Sequence, residues 1–387
     1  MSCGLPANVI KTIKATTPVV GARVTDITAC FYPKIFKNEP ATLNYFNKSN
    51  QALGMQQQAL AEAIVAYATN IDNLGAIEEV VKKIIHRHVA LNVTAPLYSI
   101  VHENLMLAVG ETLGDSIVTP EIGDAWSKAV LALAGILIGA EAKLAKDLAA
   151  RTGGWMGERE FELTDKMTMA ADSVRFTFKP TDGYSGEFDF TPGQYLTIRI
   201  PALGAAPRHY TITSRSGDPF LECTTRKVNG GEVSCYMHDK MDVGQRVLLG
   251  VPAGLFSVPE NPNPAGCVLV SAGIGVTPMW AFFNHLGSDH VKAVWCINPS
   301  KDRALFVDEF QRSGIPTTAL TSGGGRCDLV DEADKLVAQT SKDCTFYICG
   351  PRGFMSAWNE ALTKSCGVKE DNIKMEVFGT GTVCPAK

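Results

Sequence analysis

The sequence lacks four features that would assign it to a specialised class. Its longest apolar run, AVLALAGILIGA at 129–140, is too short to span a bilayer, and its N-terminus has no continuous apolar segment typical of secretory signals. It has 11 cysteines but no CxxC pair, and a formal net charge of only −4. We therefore expect a cytoplasmic protein with reduced thiols, with no nucleic-acid partner and no integral membrane segment.

What is present is an ordinary globular composition spread over a long chain. The 387 residues are 45% hydrophobic and 20% charged, and this length favours two or three domains over a single core. The pattern of apolar residues changes at two places, RTGGWMG at 151–157 and PENPNPAG at 259–266. We predict domains at 1–150, 156–258 and 266–387.

The first segment has the periodicity of amphipathic helices and almost no strand signal. Three predicted helical faces are formed by Val24, Ile27, Thr28, Phe31, Tyr32 and Ile35; by Leu60, Ile64 and Tyr67; and by Trp126, Val130, Leu133, Leu137 and Leu144. The pattern predicts an all-α domain of about 150 residues.

The other two segments have strand signals of different kinds. In the second, FELTDKMTM, SVRFTFK, QYLTIRI and RHYTITS alternate between apolar and polar residues, with glycine-containing turns between strands. This predicts an antiparallel β domain small enough to be a barrel. In the third, buried strands such as CVLVSAG and CTFYICG alternate with helical segments, which predicts a doubly wound α/β domain with a parallel sheet.

Polar residues on apolar helical faces mark a candidate site in the first segment. His88 lies on an apolar stripe of its helix, whereas His86 shares a face with charged residues and is assigned no role. Glu141 also falls on an apolar stripe, where a carboxylate is costly unless it is paired, and the hydroxyl of Tyr98 could serve it. The three residues suggest a polar cluster in which the far nitrogen of His88 could bind a metal. The pattern alone also suits a core histidine with no ligand.

A glycine-rich loop marks a second candidate site, SAGIGVTPM at 271–279. Gly273 and Gly275 allow a close backbone approach, Thr277 is predicted to cap the following helix, and Pro278 suits its first turn. Backbone amides at such a helix start can bind a pyrophosphate. Pro278 stands where the third glycine of a dinucleotide fingerprint would be, so a structural tight turn is the alternative.

The order of motifs after residue 156 resembles the ferredoxin–NADP reductase superfamily. The motifs are RHYT at 208–211, GEVS at 231–234, GIGVTP at 273–278, CGP at 349–351 and EVFG at 376–379. The resemblance implies that Arg208 meets the FAD pyrophosphate, that Tyr210 stacks on the flavin, and that Thr211 hydrogen-bonds near its reactive nitrogen.

The same resemblance implies further cofactor contacts. For FAD they are Tyr195, His209, Val233 and Ser234; for the nicotinamide nucleotide they are Gly273, Ile274, Gly275, Val276, Thr277, Pro278, Cys349, Gly350 and Pro351. At the last strand end they are Glu376, Val377, Phe378, Gly379 and Thr380, of which Phe378 would cover the other flavin face.

Motifs in the helical segment extend the resemblance over essentially the whole chain. CFYPKIF at 30–36, YFNKSNQ at 45–51, MQQQAL at 55–60, KKIIHRHV at 82–89 and DAWSKA at 124–129 resemble the globin domain of flavohaemoglobins. The resemblance implies that His88 is the proximal ligand of haem b, with Tyr98 and Glu141 as its hydrogen-bonding partners. It assigns Phe46 to haem packing, and Tyr32, Gln56 and Leu60 to the distal pocket. Arg87 and Glu376 match a basic–acidic pair between haem and flavin.

The flavohaemoglobin resemblance implies nitric oxide dioxygenase activity in a monomeric protein, with O₂ and NO as substrates. NADH or NADPH would reduce FAD, FAD would pass single electrons to haem, and NO would react with oxygen bound to ferrous haem to give nitrate. Two alternatives stay open: a haem-based O₂ or NO sensor, and a general NAD(P)H-dependent haem reductase of peroxides or quinones. The short loop TSGGGRC at 321–327 leaves the choice between NADH and NADPH open.

Overall fold

The structure is a computed structural model, and it describes residues 4–46, 54–204, 206–324 and 327–378. The chain forms two compact units. The helical unit comprises Met1–Ala150, Trp155–Glu158 and Gly204–Pro207, and the sheet unit comprises Arg151–Gly154, Arg159–Leu203 and Arg208–Lys387.

The helical unit is built from long helices, as the periodicity predicts. They are α1 (Ala7–Ala22), α2 (Val24–Asn38), α3 (Met55–Thr69), α4 (Glu78–Ala90), α5 (Ala95–Leu113) and α6 (Pro120–Ala149), with short 3-10 turns at Pro40–Tyr45 and Leu74–Ile77. Pro120 opens α6, and the Thr119 hydroxyl accepts a hydrogen bond from the Ile122 amide at 3.4 Å, so this long helix has both a favourable first residue and a side-chain cap.

The core of this unit forms where the predicted apolar faces meet. All six residues predicted for the face of α2 are buried: Val24, Ile27, Thr28, Phe31, Tyr32 and Ile35. Helix α2 packs against α3 and α5, while α1 and α4 pack against α6. The α4–α6 contact brings the His88 helix against the Glu141 helix, and this contact positions the first candidate site.

The first sheet of the other unit is six-stranded, with strand order β4-β3-β6-β1-β2-β5. The strands are β1 (Glu158–Ala170), β2 (Ser173–Pro180), β3 (Tyr195–Arg199), β4 (Arg208–Thr211), β5 (Leu221–Arg226) and β6 (Arg246–Gly250), and the short helix α7 (Glu232–Asp239) follows β5. An antiparallel bridge between Ile212 and Cys223 connects the two ends of the sheet, so the sheet closes as the predicted barrel.

Strands β5 and β6 are absent from the sequence prediction. In β5, Thr224 and Thr225 are both buried, so polar residues occupy interior positions and the alternation of apolar and polar residues is lost. Strand β6 is only five residues long. Both strands form because they complete the ladder of the barrel, which is a long-range effect that local pattern does not contain.

The second sheet is five-stranded, parallel and doubly wound, which confirms the predicted fold class. Its order is β11-β10-β7-β8-β9. The strands are β7 (Cys267–Ala272), β8 (Val291–Asn298), β9 (Thr317–Thr321), β10 (Thr345–Cys349) and β11 (Ile373–Glu376); the helices are α8 (Val276–His290), α9 (Val307–Arg312), α10 (Leu329–Gln339) and α11 (Arg352–Glu360). Hydrophobic cores cover both faces.

The strand order of this sheet determines where a nucleotide can bind. Strand β7 lies between β10 and β8, so the chain crosses to opposite sides of β7, and ligands of such sheets bind at the carboxyl ends of the strands. Ser271, Cys349 and Glu376 are in register at these ends of β7, β10 and β11.

Two expectations about the whole chain can be compared with the described residues. In these ranges, no helix combines the length and apolar character that a bilayer crossing requires. The nine cysteines within the same ranges are all free thiols.

Candidate functional site

The first site is a hydrogen-bonded cluster of His88, Tyr98 and Glu141, which come from α4, α5 and α6. The Nδ1 atom of His88 lies 2.9 Å from the Tyr98 hydroxyl and 2.8 Å from Oε1 of Glu141. The Tyr98 hydroxyl donates to the same Oε1 at 2.5 Å. The structure therefore brings together three residues that are far apart in sequence, as the polar-on-apolar pattern predicts.

The cluster fixes the tautomer of His88. Tyr98 has one hydroxyl proton, and it is used in the bond to Glu141. An ionised carboxylate can only accept. The proton on His88 must therefore be on Nδ1, where it is shared between the two oxygens. The Nε2 atom of His88 is left with its lone pair, which is the form in which an imidazole binds iron.

The carboxylate of the cluster is largely screened from water, whereas the His88 side chain is 30% exposed. The Glu141 side chain is only 7% exposed, so its carboxyl group depends on hydrogen bonds from the protein, of which Tyr98 and His88 supply two. Burial, and then the hydrogen bond to Glu141, raise the pKa of Tyr98 well above its usual value. Tyr98 therefore stays protonated and keeps its proton available for Glu141. This donor set fits a haem iron at Nε2.

The surroundings of His88 also suit an apolar ligand. One and two turns before His88, Ile84 and Val81 line an apolar pocket with Ala63 of α3 and with Leu133 and Leu137 of α6. A porphyrin macrocycle is largely apolar, so these side chains suit the ring, while Nε2 of His88 suits the iron.

The neighbours of His88 differ from the prediction in one respect. His86 is half-buried rather than solvated. Arg87 is also half-buried, in the helical unit, and Glu376 is half-buried at the end of β11 in the sheet unit. Their pairing stays a prediction.

The predicted distal residues gather between α2 and α3. The Tyr32 side chain is 3% exposed, and its ring packs edge-on against Phe46, with 5.5 Å between ring centroids. The Tyr32 hydroxyl donates to the backbone carbonyl of Gln56 at 3.4 Å. Burial raises the pKa of Tyr32 above its usual range, so the hydroxyl keeps its proton. Gln56 and Leu60 are half-buried in the first turns of α3.

The second site begins at β4, the first strand in the order of the barrel sheet. Its register with β3 places Arg208 and Tyr210 on one face, and His209 and Thr211 on the other face with Tyr195. The His209 and Tyr195 rings are in edge contact, with centroids 4.6 Å apart. Thus the predicted flavin contacts do not all share one face of the strand.

The face of β4 that carries Arg208 combines a half-buried positive charge with the ring of Tyr210. Burial lowers the pKa of the Arg208 guanidinium, while the nearby Tyr210 and Glu232 act in the opposite direction. Burial raises the pKa of Tyr210. A half-buried guanidinium beside an aromatic ring suits a ligand that carries both phosphate and a flat ring system.

The start of α7 is a tight turn that only glycine fits. A Cβ on Gly231 would lie 2.6 Å from Oγ of Ser234 and 2.9 Å from the carbonyl oxygen of Val228. The Ser234 hydroxyl accepts a hydrogen bond from the Val228 amide at 3.1 Å, and both Val233 and Ser234 are buried. No side chain caps α7, and the start of a helix is a place where backbone amides suit a phosphate.

The glycine loop after β7 packs directly on the loop after β10. Gly273 has a φ of +54°, which favours glycine. A Cβ on Gly275 would lie 2.3 Å from the carbonyl oxygen of Cys349. A Cβ on Gly350 would lie 2.9 Å from that of Ala272. Of the other predicted nicotinamide residues, Ile274 lies in the first loop and Pro351 in the second, while Val276 and Pro278 lie in the first turn of α8.

Thr277 does not cap α8 as the sequence predicts. The helix begins one residue earlier, at Val276, and the Thr277 hydroxyl donates to the Ile274 carbonyl at 2.9 Å. The reason is that Gly273–Gly275 form a 3-10 turn that leads directly into the helix, so Thr277 already lies in the first turn.

The last predicted residues lie around the end of β11. Val377 is half-buried and Phe378 is 49% exposed. Gly379 and Thr380 lie outside the described residues. Burial raises the pKa of Cys349 well above its usual value, and the carboxylate of Glu376 acts in the same direction.

Comparison with known proteins identifies the family. The sequence model of the Globin family matches residues 29–137, and that of the oxidoreductase FAD-binding domain matches residues 160–258. The flavohaemoprotein of Bordetella pertussis is 34% identical over 404 aligned positions, covering 96% of this chain and 98% of that protein. The chain belongs to the flavohaemoprotein family.

Other flavohaemoproteins match over the same extent. Flavohaemoprotein A of Dictyostelium discoideum is 34% identical and covers 96% of this chain and 97% of its own. The crystal structure of flavohaemoglobin from Malassezia yamatoensis, which holds bound FAD and haem, has a TM-score of 0.81 at 26% identity. It covers 97% of this chain and 100% of that one. The family assignment thus includes both the helical unit and the sheet unit.

One residue of this flavohaemoprotein was missed by the sequence prediction. Arg226, at the end of β5, approaches the glycine loop so closely that a Cβ on Gly273 would lie 2.9 Å from its Nη1 atom. Arg226 is half-buried, and its guanidinium faces a loop whose amides suit a phosphate. Its strand was not recognised in the sequence, so no local signal indicated it.

Proposed function

We propose that this flavohaemoprotein is a nitric oxide dioxygenase that converts NO and O₂ to nitrate with electrons from NADH or NADPH. Family membership supports the combination of haem and flavin chemistry. The observation that carries the proposal is the cluster of His88 with the buried Glu141 side chain, because a carboxylate that accepts from Nδ1 increases the basicity of the opposite nitrogen. Such a ligand favours electron donation to oxygen over simple reversible storage.

We assign one cofactor to each predicted domain. Residues 1–150 would hold haem b through His88, residues 156–258 would hold FAD, and residues 266–387 would hold NADH or NADPH. When bound, FAD converts a hydride into single electrons, and the haem iron provides the centre at which O₂ reacts with NO. The donor sets described above fit all three groups.

On the proximal side, the residues act by holding a proton away from the ligating nitrogen. Glu141 and Tyr98 keep the single imidazole proton of His88 on Nδ1. The 2.5 Å bond between Tyr98 and Glu141 orients the carboxylate, so His88 has one ring orientation and one tautomer. The ring orientation and the tautomer of His88 are thus set before the reaction and need no rearrangement during it.

On the distal side, Tyr32 is the proposed hydrogen-bond donor to the oxygen substrate. Its weak 3.4 Å bond to the Gln56 carbonyl leaves the hydroxyl able to rotate toward a better acceptor. Leu60 and Phe46 would exclude water from the same pocket. The Gln56 side chain, at the start of α3, is the second proposed donor.

In the reductase, the residues bind and orient the two nucleotides. Arg208 and the first amides of α7 would hold the FAD pyrophosphate. Arg226 and the Gly273–Gly275 turn would hold the nicotinamide nucleotide, with Cys349 at the reacting end of its ring. We further propose that the protein works in the cytoplasm, in keeping with its cysteine usage, and that it is a monomer.

The test compares two histidines of the same helix. His88→Ala should lose the haem absorption bands and the O₂- and NADH-dependent formation of nitrate from NO, while NADH still reduces the flavin. His86→Ala, two residues away, should retain haem and nitrate formation. Nitrate output from His88→Ala equal to that of the unmodified protein, or an unmodified protein that consumes NO without nitrate, would refute the proposal.

A further inference from the structure

A lysine inside the barrel unit is bound to the C-terminal end of α7. Lys166 of β1 donates from Nζ to the carbonyl oxygens of His238, at 2.9 Å, and Met241, at 2.8 Å. His238 is one of the last residues of the helix, where carbonyls have no partner within it. The ammonium group thus satisfies two carbonyls and places a positive charge at the negative end of the helix dipole.

The same end of α7 is attached to two further strands. Oγ1 of Thr225 in β5 lies 3.0 Å from Nε2 of His238. The His238 ring packs on Phe176 of β2, with centroids 5.8 Å apart. Phe176 and Thr225 are fully buried, so these contacts hold the helix end against the interior of the barrel wall.

Helix α7 transmits the position of this end to its start. It has eight residues, about 12 Å along its axis, and it has no kink or internal proline. At its start, the turn from Val228 to Gly231 is held by the Ser234 hydroxyl. A shift or tilt at His238 therefore moves the amides at Val233 and Ser234.

We propose that Lys166 is a positioning residue for FAD: it fixes the C-terminal end of α7 so that the first turn of the helix presents its amides to the FAD pyrophosphate. Lys166 donates to the carbonyls of His238 and Met241 and would act on the cofactor through α7. The inference rests on the proposed use of FAD, and it adds a residue that the glycine-and-serine motif does not contain.

The chemistry requires a donor of several hydrogen bonds at position 166. An ammonium has three donors, of which the two carbonyls use two. Methionine fills a similar volume but would leave both carbonyls without this partner, in a half-buried place. Arginine keeps the charge and can donate to both oxygens. The pair Lys166→Met and Lys166→Arg therefore separates hydrogen bonding from side-chain volume.

Helix α7 offers a matched control. Lys227 forms an ion pair with Asp239, 2.7 Å from Nζ to Oδ1, at the same end of the helix. Both partners are substantially exposed, at 36% and 47%, and exposed ion pairs contribute little. Lys227→Met removes a lysine from this helix end without disturbing the carbonyls.

The experiment measures flavin binding by the full-length protein after removal of FAD, by quenching of flavin fluorescence. Two probes are used: FAD, and riboflavin, which has the same ring and no phosphate. Lys166→Met should weaken FAD binding about tenfold while riboflavin binding stays within a factor of two, and Lys166→Arg should recover most of the loss. Lys227→Met should match the unmodified protein.

The outcomes separate this inference from the proposed function. If the unmodified protein fails to bind FAD, the proposed function itself is wrong. If it binds FAD and Lys166→Met binds equally well, or loses both flavins in parallel, Lys166 has no positioning role. If Lys166→Met does not fold, Thr225→Val, which removes the second attachment of the helix end, carries the test through the same ratio of FAD to riboflavin affinity.

Discussion

The two candidate sites are constructed in opposite ways. The site around His88 is made of side chains: α4, α5 and α6 each supply one polar group, and the helices only have to bring them together. The nucleotide site at the end of β7 is made of main chain: Gly275 and Cys349 approach so closely that a single Cβ would overlap a carbonyl. A substitution in the first site can therefore remove a single hydrogen bond or charge. A substitution in the second site displaces the whole backbone of the two loops.

This difference has a physical origin in what each ligand needs. A metal is recognised by one lone pair, whose basicity is adjusted by hydrogen bonds from neighbouring side chains. A phosphate or a nicotinamide is recognised by several backbone groups at once, at a helix start or a strand end. Substitutions in a side-chain site should therefore lower activity by graded amounts. Substitutions in a backbone site should either abolish most of the activity or leave it unchanged.

The largest expected effect is that of Gly275→Ala. The new Cβ would lie 2.3 Å from the Cys349 carbonyl oxygen and 3.0 Å from the Gly350 nitrogen. These are backbone atoms, so the two loops must separate. We expect the rate of flavin reduction by NADH to fall about a hundredfold, since displacements of about 1 Å have effects of this size, with haem binding unchanged. Stopped-flow absorbance of the flavin measures the rate.

Gly353→Ala provides the matched control for this substitution. Gly353 lies in the first turn of α11, after the same β10 loop, and an added Cβ would meet nothing within 4 Å. Its flavin reduction rate should equal that of the unmodified protein. Equal rates in Gly275→Ala would mean that the two loops do not form the nicotinamide site.

The two sites also differ in how far they can be predicted from the sequence. The cluster around His88 could be predicted because Glu141 is a carboxylate on an apolar stripe, and such a residue needs a partner. The contact of Gly275 with Cys349 could be anticipated only as a motif, since the residues are distant in sequence. Arg226 and Lys166 gave no signal, because their roles depend on strand pairing and on the end of a helix, and both are long-range features.

The next effect in size is that of Glu141→Gln. The amide oxygen of glutamine can still accept from Tyr98 and His88, but the negative charge is lost. We expect haem to be retained, the iron–histidine stretching frequency to decrease in resonance Raman spectra, and nitrate formation to slow about tenfold, as for other changes to the partners of metal ligands. An unchanged frequency would mean that the Glu141 charge does not reach the ligating nitrogen.

The smallest effect should come from Tyr98→Phe. It removes the 2.5 Å bond to Glu141 but leaves the 2.8 Å contact between His88 and Glu141. Because one acceptor for the Nδ1 proton remains, we expect nitrate formation to fall only about two- to threefold and the free energy of unfolding to fall by about 1 kcal/mol.

Tyr67→Phe is the control that separates a loss of stability from an effect on the iron ligand in Tyr98→Phe. The Tyr67 hydroxyl donates at 2.9 Å to the carbonyl of Ala129, a main-chain acceptor of α6 that is not part of the His88 cluster, and the Tyr67 side chain lines the apolar pocket. Tyr67→Phe should lower the free energy of unfolding, measured by denaturant titration, by about as much as Tyr98→Phe does. It should leave the iron–histidine stretching frequency unchanged. A frequency shift in Tyr98→Phe but not in Tyr67→Phe would assign the shift to the His88 cluster. If both variants shift equally, the frequency reports packing of the helices, and the graded behaviour expected of a side-chain site does not hold here.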